Sequence, residues 1–257
     1  MTDTHCHITD ERYDAGEIIR AMESDGLEAL VTVGYDTASS LKAAELAARH
    51  PRVYAAVGLH PSELDHEPDY DGVLPLLSQP GVVAYGEIGL DYHWDDGPDR
   101  ETQKRRFAEQ LEIAIGARLP VIVHSRDCDG DMLPLLKSFA PRLTAGLVMH
   151  CFSSSAELAR EYVKLGFYIS FAGPVTFRNA RKGDVIRAVP DELLLAETDC
   201  PYLTPVPHRG EVNYPKYVRY TIEKLAEERG RTFGEIEELT SRNARRLFAK
   251  MNAEEKI

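Results

Sequence analysis

The sequence opens with two histidines that flank a single cysteine, His5-Cys6-His7. On a β-strand, residues two apart point to the same side, so both imidazoles would face one way. Two imidazoles that converge from one strand can hold a metal ion without any loop to bring them together. Alone the pair is a weak signal, because His-x-His also arises by chance and chain termini often fray.

Further metal-binding residue types follow short apolar segments along the chain, namely Glu87, His124, His150 and Asp199. Their recurrence at the ends of such segments favours one shared site over scattered polar residues. Four imidazoles and two carboxylates are too many ligands for one tetrahedral ion. They suit two divalent ions about 3.5–4 Å apart. Glu87 is placed to bridge the two ions, because its strand, the fourth, lies between the His5/His7 side and the His124/His150 side.

The donor types restrict the metal and suggest its chemistry. Imidazole with carboxylate suits zinc, manganese, cobalt, nickel or iron, and four histidines are less natural for magnesium alone. A pair of such ions lowers the pKa of a shared water, so that hydroxide forms at neutral pH. Asp199 is expected to bind a metal and, as general base, to accept the proton of that water. Glu87 is the second residue that we expect to be catalytic.

Residues that could hold a substrate lie beside these ligands. Arg126 is two residues after His124, and Arg209 is in a His-Arg-Gly loop. Either guanidinium could donate two hydrogen bonds to one phosphate. For a single loop arginine, a solvent-exposed position without a ligand is at least as common. His60 could donate a hydrogen bond to a phosphate oxygen or to the leaving group. Four aromatic side chains near the predicted site could stack on bases or sugars: Tyr92, Trp94, Phe152 and Tyr202.

Short apolar runs alternate with amphipathic stretches over the whole chain. Strands are predicted at residues 1–7, 27–33, 53–58, 82–88, 120–124, 145–151, 167–171 and 193–198. Helices are predicted at residues 14–25, 36–49, 69–79, 100–118, 128–139, 154–165, 178–188, 214–229 and 232–251. Eight such units in 257 residues predict one TIM (β/α)₈ barrel with extra C-terminal helices. A doubly wound sheet is the alternative, but no G-x-G-x-x-G follows the first strand.

Composition limits the class of protein. With 42 acidic and 30 basic residues the net charge is −12, whereas a protein that coats duplex DNA is normally basic. Any nucleic-acid activity must therefore use a small local site. The sequence contains neither an apolar run of membrane-spanning length nor the pattern of a signal peptide, so we expect a cytoplasmic protein.

The four cysteines do not form a C-x-x-C pair, so no zinc ribbon or thioredoxin-type motif is indicated. They are expected to be free thiols. Three of them, Cys6, Cys151 and Cys200, directly follow a predicted ligand, and on a strand they would face the layer between sheet and helices. Packing is their expected role.

Seven short motifs, in their order and spacing, resemble the TatD-type deoxyribonuclease family of the metal-dependent amidohydrolase superfamily. They are DTHCH at 3–7, GLHP at 58–61, GEIGLD at 86–91, HSR at 124–126, HCF at 150–152, ETD at 197–199 and PHRG at 207–210. The resemblance implies a TIM barrel with two divalent metals, one held by His5, His7 and Asp199, one by His124 and His150, with Glu87 on both. It also implies metal-dependent hydrolysis of DNA, often from the 3′ end of single strands.

The chain departs from the family pattern at three places. Ser153-Ser154-Ser155 stands where Ser-Gly is usual, Cys200 where Ser is common, and Glu211 where a basic residue is frequent. The first two departures do not alter any predicted ligand, whereas the negative charge of Glu211 could lower the affinity for nucleic acid.

Two other functions remain open from the sequence. The same activated water could attack the carbonyl of an amide, ester or lactone, although no lysine ends a strand where it could be carbamylated to bridge the metals. The chain could also be a metal-binding scaffold without activity, which nothing in the sequence favours. We expect a nucleic-acid substrate, DNA ends in particular, with neither a membrane nor an obligate protein partner.

Overall fold

Eight parallel strands form a single sheet in the order in which they occur along the chain. The structure is a computed structural model, and it describes residues 1–64, 68–94 and 97–252. The strands are β1 (Thr2–Cys6), β2 (Ala29–Val33), β3 (Val53–Val57), β4 (Val82–Asp91), β5 (Val121–Arg126), β6 (Leu147–Met149), β7 (Tyr168–Phe171) and β8 (Leu194–Ala196).

Helices connect successive strands and follow the last one. They are α1 (Ala15–Ala21), α2 (Thr37–Arg49), α3 (Tyr70–Val73), α4 (Arg100–Ala117), α5 (Asp129–Phe139), α6 (Ala156–Lys164), α7 (Gly183–Ala188), α8 (Val218–Arg229) and α9 (Phe233–Leu247). Within the described ranges, no helix has both the length and the apolar character needed to cross a membrane.

The first strand and the segment after the last strand close the sheet into a barrel. The His7 amide donates to the Cys200 carbonyl at 2.8 Å, and the Asp199 amide donates to the His5 carbonyl at 2.9 Å. The Thr4 hydroxyl donates to the Ala196 carbonyl at 3.0 Å. These bonds and the sequential strand order confirm the predicted TIM barrel, because a doubly wound sheet has β1 in its interior and stays open at both edges. They also hold the N-terminal strand in place.

The core is divided into two parts by the sheet. Along β2, Leu30 belongs to the cluster between sheet and helices, whereas Val31 and Val33 belong to a second cluster inside the barrel. Side chains alternate between the two faces of a strand, which explains the division. Leu247 and Phe248 at the end of α9 join the inner cluster, so the C-terminal helix seals the end of the barrel opposite the carboxyl ends of the strands.

Several predicted boundaries are wrong. The predicted helix 69–79 is a single α turn, α3, followed by a 3₁₀ segment, because Pro75 lacks the amide that would continue the α pattern. The predicted helix 178–188 begins only at Gly183, and the one at 214–229 begins at Val218 after a 3₁₀ turn. Strand β6 ends at Met149, before His150.

The expected role of the cysteines holds for two of the three that follow predicted ligands. Cys6 and Cys200 are free, fully buried and part of the core outside the sheet. The prediction is wrong for Cys151, which is only half-buried and lines a small pocket with Phe152 and Lys182. Because β6 ends two residues earlier and Cys151 has a φ of 43°, strand alternation does not extend to it.

Gly89 allows β4 to approach β5 beside His124. Its φ is 154°, and a Cβ at this position would lie 2.0 Å from the His124 carbonyl oxygen. We expect Gly89→Ala to lower the free energy of unfolding by at least about 2 kcal/mol. Gly116→Ala in α4 is the matched control, because its Cβ would meet nothing within 4 Å and should stabilise the helix slightly. Urea denaturation compares the two, and equal midpoints would contradict the close approach.

Candidate metal centre

The two histidines at the end of β1 point to the same side, into the mouth of the barrel. The Nε2 atoms of His5 and His7 lie 3.3 Å apart, and both side chains are buried. His7 Nδ1 donates to the Val33 carbonyl of β2 at 2.8 Å. This bond places the ring proton on Nδ1 of a neutral His7, so the Nε2 lone pair faces the mouth.

The carboxylate of Glu87 lies between two pairs of histidines. Its Oε1 atom is 2.7 Å from His124 Nδ1 and 2.7 Å from His150 Nε2. Its Oε2 atom is 3.4 Å from His5 Nε2 and 3.9 Å from His7 Nε2. Each oxygen therefore serves a different pair, which is the arrangement that a bridging carboxylate needs.

Asp199 lies opposite Glu87, on the same side as the β1 histidines. Its Oδ1 atom is 3.5 Å from His7 Nε2 and 3.7 Å from His5 Nε2. The residue has a φ of 57°, in the left-handed region that aspartate and asparagine tolerate better than most residues. Its side chain is 14% exposed, so solvent reaches it from the mouth. The structure thus brings all six predicted ligands together.

The charges at this site favour ionised carboxyl groups. Burial alone would raise the pKa of Glu87, but the nearby His150 and His5 and hydrogen bonds from His124 and His150 hold that pKa well below its usual value. Asp199 behaves similarly, since the hydrogen bond from His7 outweighs burial and lowers the pKa. Burial opposes protonation of His7, yet Asp199 raises the His7 pKa to about 9, so a cation that binds here would displace the proton from Nε2.

This donor set fits divalent cations. The side-chain donor atoms of His5, His7 and Glu87 lie within 4.8 Å of one another, and so do those of Glu87, His124 and His150. Imidazole nitrogens and carboxylate oxygens are ligands for zinc, manganese and related ions. A cation would also compensate the two buried carboxylates, which are otherwise balanced only by protonated histidines.

Two carboxylates that sequence reasoning did not assign hold the outer nitrogens of the second histidine pair. Asp91 Oδ2 is 3.0 Å from His124 Nε2, and Glu197 Oε1 is 3.2 Å from His150 Nδ1. Each contact holds a ring proton on the outer nitrogen, and the inner nitrogen, which faces Glu87, could bind a cation when it carries no proton. A sequence signal existed for Asp91, because Glu87 and Asp91 are four apart on β4 and share a face.

Removing either outer carboxylate should weaken metal binding. We expect Asp91→Ala and Glu197→Ala each to lower metal affinity about 10–100-fold, because the imidazole loses its orienting acceptor. Asp91→Asn retains an oxygen acceptor and should recover most of the loss. Isothermal titration with zinc measures the affinity, and circular dichroism checks folding. Unchanged affinity in the folded alanine variants would show that the rings are held by other contacts.

The predicted substrate residues occupy different places. His60 lies beside the cluster, with its Nε2 atom 3.9 Å from Glu87 Oε1 and its ring 4.4 Å from that of His124. Burial, together with the charge of His124, lowers the His60 pKa to about 3. The Arg126 guanidinium lies 5.5 Å above the Trp94 ring at the rim. Arg209 lies 4.1 Å above the ring of Phe177, in the loop after β7.

The four aromatic residues expected to stack on substrate are not equally available. Trp94 and Tyr202 are more than half exposed. Phe152 is buried and packs edge-on against Tyr162, so the expectation is wrong for this residue. Tyr92 is partly buried, and its hydroxyl donates to Asp131 at 2.8 Å.

Comparison with known proteins places this site in a family. A sequence model described as "TatD related DNase" matches residues 2–249. The chain belongs to the TatD family. YabD of Bacillus subtilis, named a metal-dependent hydrolase, is 44% identical, with 96% of this chain and 98% of YabD covered. The TatD protein of Salmonella typhimurium, named a 3′-5′ ssDNA/RNA exonuclease, is 31% identical, with 96% and 98% covered.

A solved structure of the TatD family agrees with the architecture. The crystal structure of YJJV, a TatD homologue from Escherichia coli K12, superposes with a TM-score of 0.88 at 32% identity. The match covers 97% of this chain and 98% of YJJV. The protein is therefore a TatD-family metal-dependent hydrolase with a TIM-barrel fold.

Proposed function

We propose that this TatD-family protein hydrolyses phosphodiester bonds at the 3′ ends of single-stranded DNA. The observation that carries the proposal is the position of Glu87, with one carboxylate oxygen on each of two histidine pairs at the mouth of the barrel. The exonuclease name of the Salmonella relative supports the substrate class.

We assign two divalent ions to this site. The first would be held by His5, His7 and Asp199 and the second by His124 and His150, with Glu87 on both. Bound divalent ions supply Lewis acidity to a phosphoryl oxygen and lower the pKa of a coordinated water.

Asp199 is the residue we assign to proton transfer. It is the carboxylate of the cluster that solvent reaches, whereas Glu87 is more deeply buried. Its lowered pKa keeps it ionised at neutral pH, and the proton of the attacking water would move to an Oδ atom. Glu87 has its two oxygens turned toward four imidazoles and is less free to do this.

His60 is suited to donate a hydrogen bond to a substrate oxygen. The Ser62 amide donates to His60 Nδ1 at 3.2 Å, and a backbone amide can only donate. A neutral His60 ring therefore carries its proton on Nε2, the atom that faces the cluster. Arg126, two residues beyond His124, would attract the flanking phosphate from the rim.

The experiment is a nuclease assay with end-labelled oligonucleotides. Zinc-, manganese- or magnesium-loaded protein should release nucleotides from single-stranded DNA, and EDTA should stop the release. A 3′-terminal inverted nucleotide should block digestion, whereas a 5′ block should not. Duplex DNA and single-stranded RNA tested in parallel define the substrate.

Acyl substrates test the alternative function, hydrolysis of an amide, ester or lactone. The same metal-loaded preparations should leave amide, ester and lactone panels unchanged. Turnover of an acyl substrate without release of nucleotides from any nucleic acid would overturn the proposal in favour of an acyl hydrolase. Bound metal with no turnover of either class would indicate a scaffold.

A further inference from the structure

Exposed apolar side chains are concentrated on the face of the barrel that carries the candidate metal centre. Among the described residues, seven of the nine exposed large apolar side chains lie in loops that follow strands: Tyr35, Trp94, Tyr202, Leu203, Val206, Val212 and Tyr214. Exposed apolar surface that is gathered in one region and rimmed by polar residues is typical of interaction sites, including ligand-binding grooves.

Two of these aromatic rings contact a predicted ligand directly. The ring of Tyr35, in the loop after β2, lies 5.9 Å from the His7 ring at an angle of 70°. The ring of Tyr202, in the loop after β8, lies 6.3 Å from the same His7 ring at 71°. Tyr35 is 37% exposed and Tyr202 is 51% exposed, so both retain surface open to a ligand.

The backbones of both tyrosines are fixed to residues of the site. The Tyr202 amide donates to the Asp199 carbonyl at 3.0 Å, and buried Asn213 donates to the Tyr202 carbonyl at 2.6 Å. The Tyr35 carbonyl accepts from the His60 amide at 2.8 Å. Loop backbones that are fixed in this way need no rearrangement when a ligand stacks on the rings.

Arg12 supports the ring of Tyr202. Its guanidinium lies 4.6 Å from the ring centroid, and it pairs with Asp10 through Nε at 2.7 Å and Nη2 at 2.8 Å. Asp10 thus balances the charge of Arg12 and holds its guanidinium beside the Tyr202 ring.

We propose that Tyr202, supported by Arg12, and Tyr35 form a stacking subsite for the nucleobase beside the cleaved phosphodiester, on the His5–His7 side of the metal centre. The inference rests on the proposed nuclease function and specifies how it selects substrate. Aromatic faces accept any base but require it to be unpaired, which accounts for a single-strand preference.

Stacking also suits a strongly acidic protein. At a net charge of −12, the chain repels a polyanion at long range, and this cost grows with each nucleotide. An uncharged aromatic face binds a base without adding to the repulsion. The affinity for single-stranded DNA is therefore expected to depend weakly on salt concentration, unlike that of a site built from lysines and arginines.

Two measurements test the subsite with variants of the whole protein. The first follows quenching of a 3′-terminal 2-aminopurine in a single-stranded oligonucleotide, with EDTA present so that no cleavage occurs. The second compares KM and kcat for oligonucleotides that end in a base or in an abasic sugar. Tyr202→Ala, Tyr35→Ala and Tyr202→Phe are compared with Tyr214→Ala, an aromatic of the same loop that packs on Tyr13 and Tyr217.

Loss of the Tyr202 ring should raise KM about tenfold for the normal oligonucleotide and leave kcat within about twofold. For the abasic oligonucleotide, the KM of the same variant should equal that of the wild type. Tyr202→Phe should have wild-type KM and kcat for both oligonucleotides. For the normal oligonucleotide, Tyr35→Ala should raise KM by a smaller factor, and Tyr214→Ala should leave KM unchanged.

The outcomes separate this inference from the proposed function. Wild-type quenching that Tyr202→Ala removes supports the subsite even if no DNA is cleaved, which would defeat only the nuclease assignment. Cleavage with no quenching, or an equal KM rise for base-bearing and abasic ends, would overturn the subsite and leave the nuclease assignment standing.

Discussion

Glu87→Ala is expected to reduce hydrolysis by at least about 10³-fold and to reduce the number of metal ions bound. The reason is geometric, because one carboxylate supplies an oxygen to each of the two histidine pairs. Without it, no carboxylate connects the two histidine pairs, and Asp199 is the one carboxylate left among the six predicted ligands. Metal content after equilibrium dialysis, measured beside the rate on labelled single-stranded DNA, checks both effects.

The control for this variant is Glu45→Ala, which removes an exposed carboxylate on α2 far from the barrel mouth. It should bind metal and turn over substrate as the wild type does. Retention of full activity by Glu87→Ala, with folding verified by circular dichroism, would exclude Glu87 from the metal centre.

Asp199→Asn is expected to reduce kcat about 10²–10⁴-fold while most of the metal is retained. Asparagine keeps an oxygen donor and also tolerates the left-handed backbone at φ 57°, so the loop after β8 should keep its shape. What it loses is the ability to accept a proton from water. The variant therefore separates proton transfer from metal binding, which Glu87→Ala does not.

Metal titration and the pH profile of kcat distinguish these effects. The variant should bind the second ion, on His124 and His150, with unchanged affinity, and the first more weakly. Turnover at the wild-type rate would exclude Asp199 as the general base, and loss of both ions together would contradict its assignment to the first ion alone.

The sequence contained enough to predict the ligands as a set, for a physical reason. Residues at the carboxyl ends of parallel strands in a closed barrel must converge on one mouth, so strand ends and residue types together placed His5, Glu87 and His150 in one place. Strand alternation placed His5 and His7 on one side, and their Nε2 atoms lie 3.3 Å apart.

Boundaries and side-chain environments were less predictable. Periodicity extended β6 through Cys151, whereas the strand ends at Met149 because the chain turns there to present His150. Phe152 was expected to stack on bases or sugars, but it is buried against Tyr162 of α6, a contact that depends on how a helix lies on the barrel. Local pattern does not contain that information.

The sequence by itself predicted the barrel, the family and the six candidate ligands. The tertiary structure decided which groups surround those ligands: Asp91 behind His124, Glu197 behind His150, and Tyr35 beside His7. These contacts join residues far apart in the chain, and they depend on strand register and loop path. A sequence pattern predicts which side chains of one segment are buried. Which side chain from another strand or loop each of them contacts is decided only when all eight strands close into the barrel.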